Sequence, residues 1–123
     1  MALMLMANPP RQGEARVLTC LHRRVEDCIE FLNDSSAVAR CTAARALGQM
    51  GPQAWEALPA LLQALKDRNP LVRDAVADAI GWIAPASPDA VYALEKALTD
   101  PNSFVQATSA KALKKIGAAR AVG

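Results

Sequence analysis

The sequence predicts an all-α fold: an α-solenoid, a right-handed superhelical array of about three helix pairs with a period of 33 residues. Three observations carry this expectation. The chain repeats itself at that interval without a gap, and each repeat holds two stretches with apolar residues at helical spacing. The composition is also that of packed helices, 52% hydrophobic with only 4% aromatic, and much of the apolar content is alanine. Alanine has the best intrinsic helix propensity and lets helices approach closely, whereas strands favour β-branched and aromatic residues.

The repeat is read directly from the residues. The run Leu32-Asn-Asp34 to Leu47-Gly48-Gln-Met50-Gly51 returns as Leu65-Lys-Asp67 to Ile80-Gly81-Trp-Ile83, and again as Leu98-Thr-Asp100 to Leu113-Lys-Lys-Ile116-Gly117. Leucine holds the column 32, 65 and 98, aspartate the column 34, 67 and 100, and alanine the columns 44, 77, 110 and 46, 79, 112. A lone helix pair cannot cover its own apolar face, so the units must stack, with the constant alanines where one later helix meets the next unit. The expected organisation is a loose N-terminal tail over residues 1–13, a repeat domain over 14–117 with units at about 14–51, 52–84 and 85–117, and a C-terminal tail over 118–123.

In the first unit, a long first helix is expected from Glu14 to Leu32, burying Val25, Cys28, Ile29 and Leu32. The later helix of that unit buries Ala39, Thr42, Ala43, Ala46, Leu47 and Met50. In the second unit, Leu58, Leu61, Leu62 and Leu65 stand at i, i+3, i+4 and i+7 on a helix from Trp55 to Lys66, with Trp55 closing the turn after Gly51-Pro52. Asn69 is a good N-cap and Pro70 suits the first helical position, so the later helix runs from Pro70 to Ile83 and buries Val72, Ala75, Val76, Ala79, Ile80 and Ile83. In the third unit Ser87 caps and Pro88 opens a helix burying Val91, Leu94 and Leu98. Its later helix, Asn102 to Ile116, buries Val105, Thr108, Ala112, Leu113 and Ile116. Gly48, Gly51, Gly81 and Gly117 fall near helix ends, where glycine accommodates positive φ.

These residues resemble the HEAT repeat. Aspartate, a short polar or proline turn, Val-Arg and then Ala-x-x-Ala-Leu-Gly is fullest in Asp67-Arg-Asn-Pro-Leu-Val-Arg73 with Ala79-Ile80-Gly81, and is kept in Asp34, Arg40 and Ala46-Leu47-Gly48. The third unit departs, with Gln106 for the arginine and Lys114 for the glycine. More narrowly, the motif is similar to the short bacterial HEAT-like repeats found in phycobiliprotein chromophore lyases. The resemblance covers about Arg24 to Gly117. It implies that Asp34, Arg40, Asp67, Arg73 and Asp100 form a structural ladder of hydrogen bonds between units, which Gln106 breaks at its end.

The inventory for catalysis is thin. His22 is the single histidine and stands beside Arg23 and Arg24. Cys20 lies at i−2 from it, and such positions do not face one another on a helix. Deoxyhypusine hydroxylase, a HEAT-type enzyme family, carries several His-Glu pairs, which one histidine cannot supply. Neither a metal site nor a Gly-rich phosphate loop can be assembled, and no cofactor is implied. Cys20, Cys28 and Cys41 match no metal spacing and read as buried or half-buried thiols of a reducing compartment.

Binding has better support. The later helices of HEAT arrays line the concave face, and their outward positions here are Arg40, Cys41, Arg45 and Gln49, then Arg73, Asp74, Asp78 and Trp82, then Gln106, Lys111, Lys114 and Lys115. Trp82 stands out because its column otherwise holds Gln49 and Lys115, and it reads either as a lid packed over its neighbours or as a binding anchor, since interface hot spots are enriched in tryptophan. Partner-binding residues are therefore expected at Trp82, Arg45, Asp78, Lys111 and Lys115. After Asp100 the chain has no acid but carries Lys111, Lys114, Lys115 and Arg120. Lysines without interleaved aromatics argue against nucleic acid. No apolar run reaches the ~20 residues a membrane span needs. Met1 to Ala7 is apolar but has no preceding basic region, and reads as a tail or docking arm rather than a signal. The expectation is a cytoplasmic, non-enzymatic scaffold or adaptor for another protein. Its alternatives are a subunit of a chromophore-lyase-like enzyme, or a self-associating piece of a longer array that forms a homodimer through its repeat ends.

Overall fold

Proline and alanine placement sets the helices. The computed structural model describes residues 25–83 and 87–122, the stretch 118–122 by its helical backbone. The chain folds as α1 (Val25–Phe31), α2 (Ala37–Met50), a 3-10 segment (Gly51–Ala57), α3 (Leu58–Ala64), α4 (Pro70–Ile83), α5 (Pro88–Ala97) and α6 (Ser103–Val122). No strand occurs among the described residues. The N-terminal tail and the expected helical stretch from Glu14 to Arg24, with Cys20 and His22, lie outside the described residues.

Caps fall where the sequence puts them. Ser36 Oγ accepts from the Ala39 N–H and Ser87 Oγ from the Ala90 N–H, both at 3.3 Å. Asn69 Oδ1 accepts from the Leu71 N–H at 2.8 Å, opening α4 at Pro70 as expected. Two elements differ from expectation. The helix expected from Trp55 is instead a 3-10 turn followed by α3, with Ala54 off helical geometry. Pro59 has no N–H to offer the Trp55 carbonyl, which takes the Leu58 N–H one residue earlier. Trp55 lies within this 3-10 segment after Gly51-Pro52, and its side chain is 68% exposed rather than packed over the turn. At the other end α6 continues past Ile116 to Val122, because the alanine-rich stretch after Gly117 contains no breaker.

The core runs continuously through the units: Cys28 and Leu32, then Ala43 and Leu47, then Leu61, Val76 and Ile80, then Leu94, Ala112 and Ile116. Leu98, expected inside, is 40% exposed, and Ser109 is buried in the column of Ala43 and Val76. Ala44 and Ala77 are fully buried, while Ala110, in the same column of the third unit, is exposed.

The later helices α2, α4 and α6 pack side by side along their lengths, whereas α3 and α5 barely meet. That asymmetry curves the array toward the later helices. Glycine makes the close approach possible at Gly48 and Gly81, which corrects the expectation that these two serve helix ends, while Gly51 does end α2 as its C-cap. Among the described residues only Gly51 has positive φ, at 65°. A Cβ built on Gly48 would lie 3.1 Å from Ala79 Cα, and one on Gly81 would lie 2.8 Å from Ala112 Cβ. Gly117 has nothing within 4 Å of that point.

The two sites should therefore respond oppositely to the same change. Gly81→Ala should destabilise by about 1–3 kcal/mol through overpacking, despite the better helix propensity of alanine. Gly117→Ala should stabilise by about 0.5–1 kcal/mol. Urea unfolding of both variants beside wild type measures this, and a shift of the same sign in both would contradict the close packing of α4 on α6.

Candidate interaction face

The face begins with what holds its helices in register. Arg40 is buried rather than outward, at 5% exposure. Its Nε and Nη2 donate to Asp67 Oδ2 and Oδ1 at 2.8 and 3.2 Å, while Nη1 donates to the Asp34 and Ser35 carbonyls. Arg73 repeats the arrangement with Asp100, at 2.8 and 3.1 Å, and with the Asp67 carbonyl at 2.7 Å. Each carboxylate also accepts the backbone N–H two residues on, as Asp34 does from Ser36. Gln106 keeps only the bond within its own unit, donating to the Asp100 carbonyl at 2.6 Å.

The electrostatics follow from this. Burial alone would raise the Asp67 carboxyl, but the Arg40 bond, the Asn69 N–H and the Arg40 and Arg68 charges outweigh it and hold the group below its ordinary value. Asp100 is lowered by the Arg73 hydrogen bond first, against burial, with the Asn102 N–H and the Arg73 charge adding to it.

Held in this register, α2 and α4 enclose a groove of about 400 Å³. Ala44, Gly48 and Ala79 form its small-residue floor, and Arg45, Gln49, Asp78 and Trp82 line it. Three expected site residues thus meet in one place. A fourth joins from the next helix: Lys115 Nζ sits 3.7 Å from the Trp82 ring centroid and 3.4 Å from Asp78 Oδ1. Trp82 nevertheless stays 52% exposed. Lys111, the fifth, is exposed on α6 and does not line the groove. Asp74 reaches across the same seam to accept from Thr108 Oγ1. Cys41, half-buried on α2, has its thiol pushed up chiefly by burial, against the Arg45 charge, which leaves it a poor nucleophile at neutral pH. Among the described residues no group of three or more His, Cys, Asp or Glu side chains is gathered as metal ligands.

One feature escaped the sequence reading. Val38, Leu71 and Phe104 share a column at the start of the later helices, and they are 70%, 65% and 72% exposed. Comparing the units column by column could have found this row, because all three residues are large and apolar.

A family model described as HEAT repeats matches residues 25–114. Among solved structures the chain is similar to human deoxyhypusine hydroxylase in complex with glycerol, at 25% sequence identity and a TM-score of 0.69. The likeness covers 90% of this chain and 45% of that one, so the chain spans less than half of that enzyme's length. No curated protein matches the chain.

The ladder should dominate stability at neutral pH. Arg40→Ala should cost about 3 kcal/mol, since it leaves a mostly buried carboxylate and two carbonyls without their donor. Asp67 and Asp100 hold protons less readily folded than unfolded. Their contribution is therefore complete above the unfolded carboxyl value of about 3.9 and is lost as pH falls through the lower folded values. Denaturant unfolding between neutral and acid pH should show a shallower acid loss for Asp67→Asn with Asp100→Asn than for wild type. Equal acid slopes would sink the claim.

Proposed function

The chain belongs to the HEAT-repeat family, and from that premise we propose that it is a non-enzymatic scaffold that binds another protein on the face of its later helices. The observation that carries the reading is the half-exposed Trp82 beside a groove floored by alanine and glycine and lined by Arg45, Gln49 and Asp78. A large, half-exposed aromatic beside a mixed polar and apolar groove has the character of an interface anchor. HEAT arrays present that face as a concave surface, and the close packing of α2, α4 and α6 supports the same curvature here.

The single histidine supports the non-enzymatic part of the proposal. Deoxyhypusine hydroxylase activity belongs to the neighbouring structure, and the residues gathered at the groove here are suited to contact rather than to bond-making. Among the described residues no helix is long and apolar enough to cross a membrane, and we place the scaffold in the cytoplasm.

Affinity capture from native cell extract, with wild type and Trp82→Ala as paired baits, tests this directly. Trp82 is half exposed, so its loss should shift stability by only about 1 kcal/mol, the contribution of its contact with the Lys115 ammonium. A partner retained by wild type and lost by a still-folded Trp82→Ala is the expected result. Equal recovery by both baits would remove the groove from the binding site.

A further inference from the structure

We infer that the groove between α2 and α4 takes an extended acidic peptide segment, one carboxylate of which pairs with Arg45. This rests on the scaffold reading and names the chemistry of the partner it would hold. The argument begins with which charges are already committed. Arg40 and Arg73 spend their guanidinium groups on the ladder. Asp78, the one acidic residue lining the groove, has the Lys115 ammonium beside it. Arg45 lines the same groove, is exposed, and forms no ion pair or hydrogen bond among the described residues. A planar guanidinium with no partner is suited to a carboxylate, which it can grip with two parallel bonds.

The surroundings favour the same sign. Lys115 brings a second cation to the groove's edge, and Lys111 stands exposed on the same helix. The sequence holds no acid after Asp100 to offset them. An approaching basic segment would meet Arg45 and Lys115, while the two acids on this side of α4, Asp78 and Asp74, are already engaged by Lys115 and by Thr108. An acidic segment meets complementary charge.

Shape argues for an extended chain. The floor is made of Ala44, Gly48 and Ala79, so a backbone can lie close to the helices. The volume of about 400 Å³ suits a few side chains rather than a rounded surface. Gln49 offers both a donor and an acceptor for a peptide group. Lys115 occupies one face of the Trp82 ring, which leaves the other face for an apolar side chain of the same segment.

The test uses fluorescence anisotropy with three labelled probes: a peptide of alternating glutamate and leucine, its lysine-leucine counterpart, and an oligothymidylate. The expected result is binding of the acidic peptide by wild type. That binding should weaken about tenfold in Arg45→Glu and with rising salt, while Arg45→Lys keeps part of it. Arg45 is exposed, and an unchanged melting temperature confirms that its variants fold. The inference is overturned if the lysine peptide binds as tightly, if Arg45→Glu binds the acidic peptide like wild type, or if none of the probes binds. Tighter binding of the oligothymidylate would also overturn it, in favour of a nucleic-acid surface. If the acidic peptide fails while Trp82→Ala still loses its captured partner, the scaffold reading stands and only the partner's chemistry falls.

Discussion

Arg40 and Arg73 each do two jobs with one planar group. Through Nη1 they hold the turn of their own unit, and through Nε and Nη2 they hold the aspartate of the next. That aspartate in turn accepts the N–H of Asn69 or Asn102, the residue that leads into the following later helix. Turn shape, helix start and the placement of one unit on the next are therefore one hydrogen-bonded network. A guanidinium can support it because its five donors lie in a fixed plane; an ammonium could not reach a carboxylate and a carbonyl in the same geometry. Once the fork fixes the register, the later helices are brought so close that Gly48 and Gly81 become necessary and Ala79 and Ala112 must stay small.

Much of this was legible in the residues. The fixed period placed the units, Asn69-Pro70 and Ser87-Pro88 placed two helix starts, and the family resemblance implied a ladder between units through Asp34, Arg40, Asp67, Arg73 and Asp100. The rest depended on relations that one period cannot show. Periodicity tells which residues face their own unit, but the use of Gly48 and Gly81 is a contact between two different columns, visible only once the rise from unit to unit is known. For the same reason Arg40 read as outward: it does leave its own unit's core, only to be covered by the turn of the next. The split before α3 was missed because the spacing of Leu58, Leu61 and Leu62 is helical whether or not Pro59 can donate.

The candidate site was partly legible. Trp82 could be singled out because its column is otherwise polar, and Arg45 and Asp78 shared the neighbouring column. The position of Lys115 over the Trp82 ring was not legible. The two residues occupy the same column one unit apart, and whether such residues touch depends on how closely two helices approach.

The seams between units are alike in backbone and unlike in chemistry. Between α4 and α6, Lys115 covers Trp82 and pairs with Asp78, while Asp74 and Thr108 bond to each other. That seam pairs Asp74 and Asp78 within itself. Between α2 and α4 the same columns hold Gln49 and Arg45 against Trp82 and Asp78, and Arg45 is left without a counter-charge among the described residues. The third unit differs again. Gln106 replaces the bridging arginine, and Lys114 stands in the column where Gly48 and Gly81 make room for a neighbour. A repeat protein builds its scaffold from columns that stay constant and its specificity from columns that change. Here one such change leaves Arg45 and a half-exposed Trp82 lining the same groove between α2 and α4.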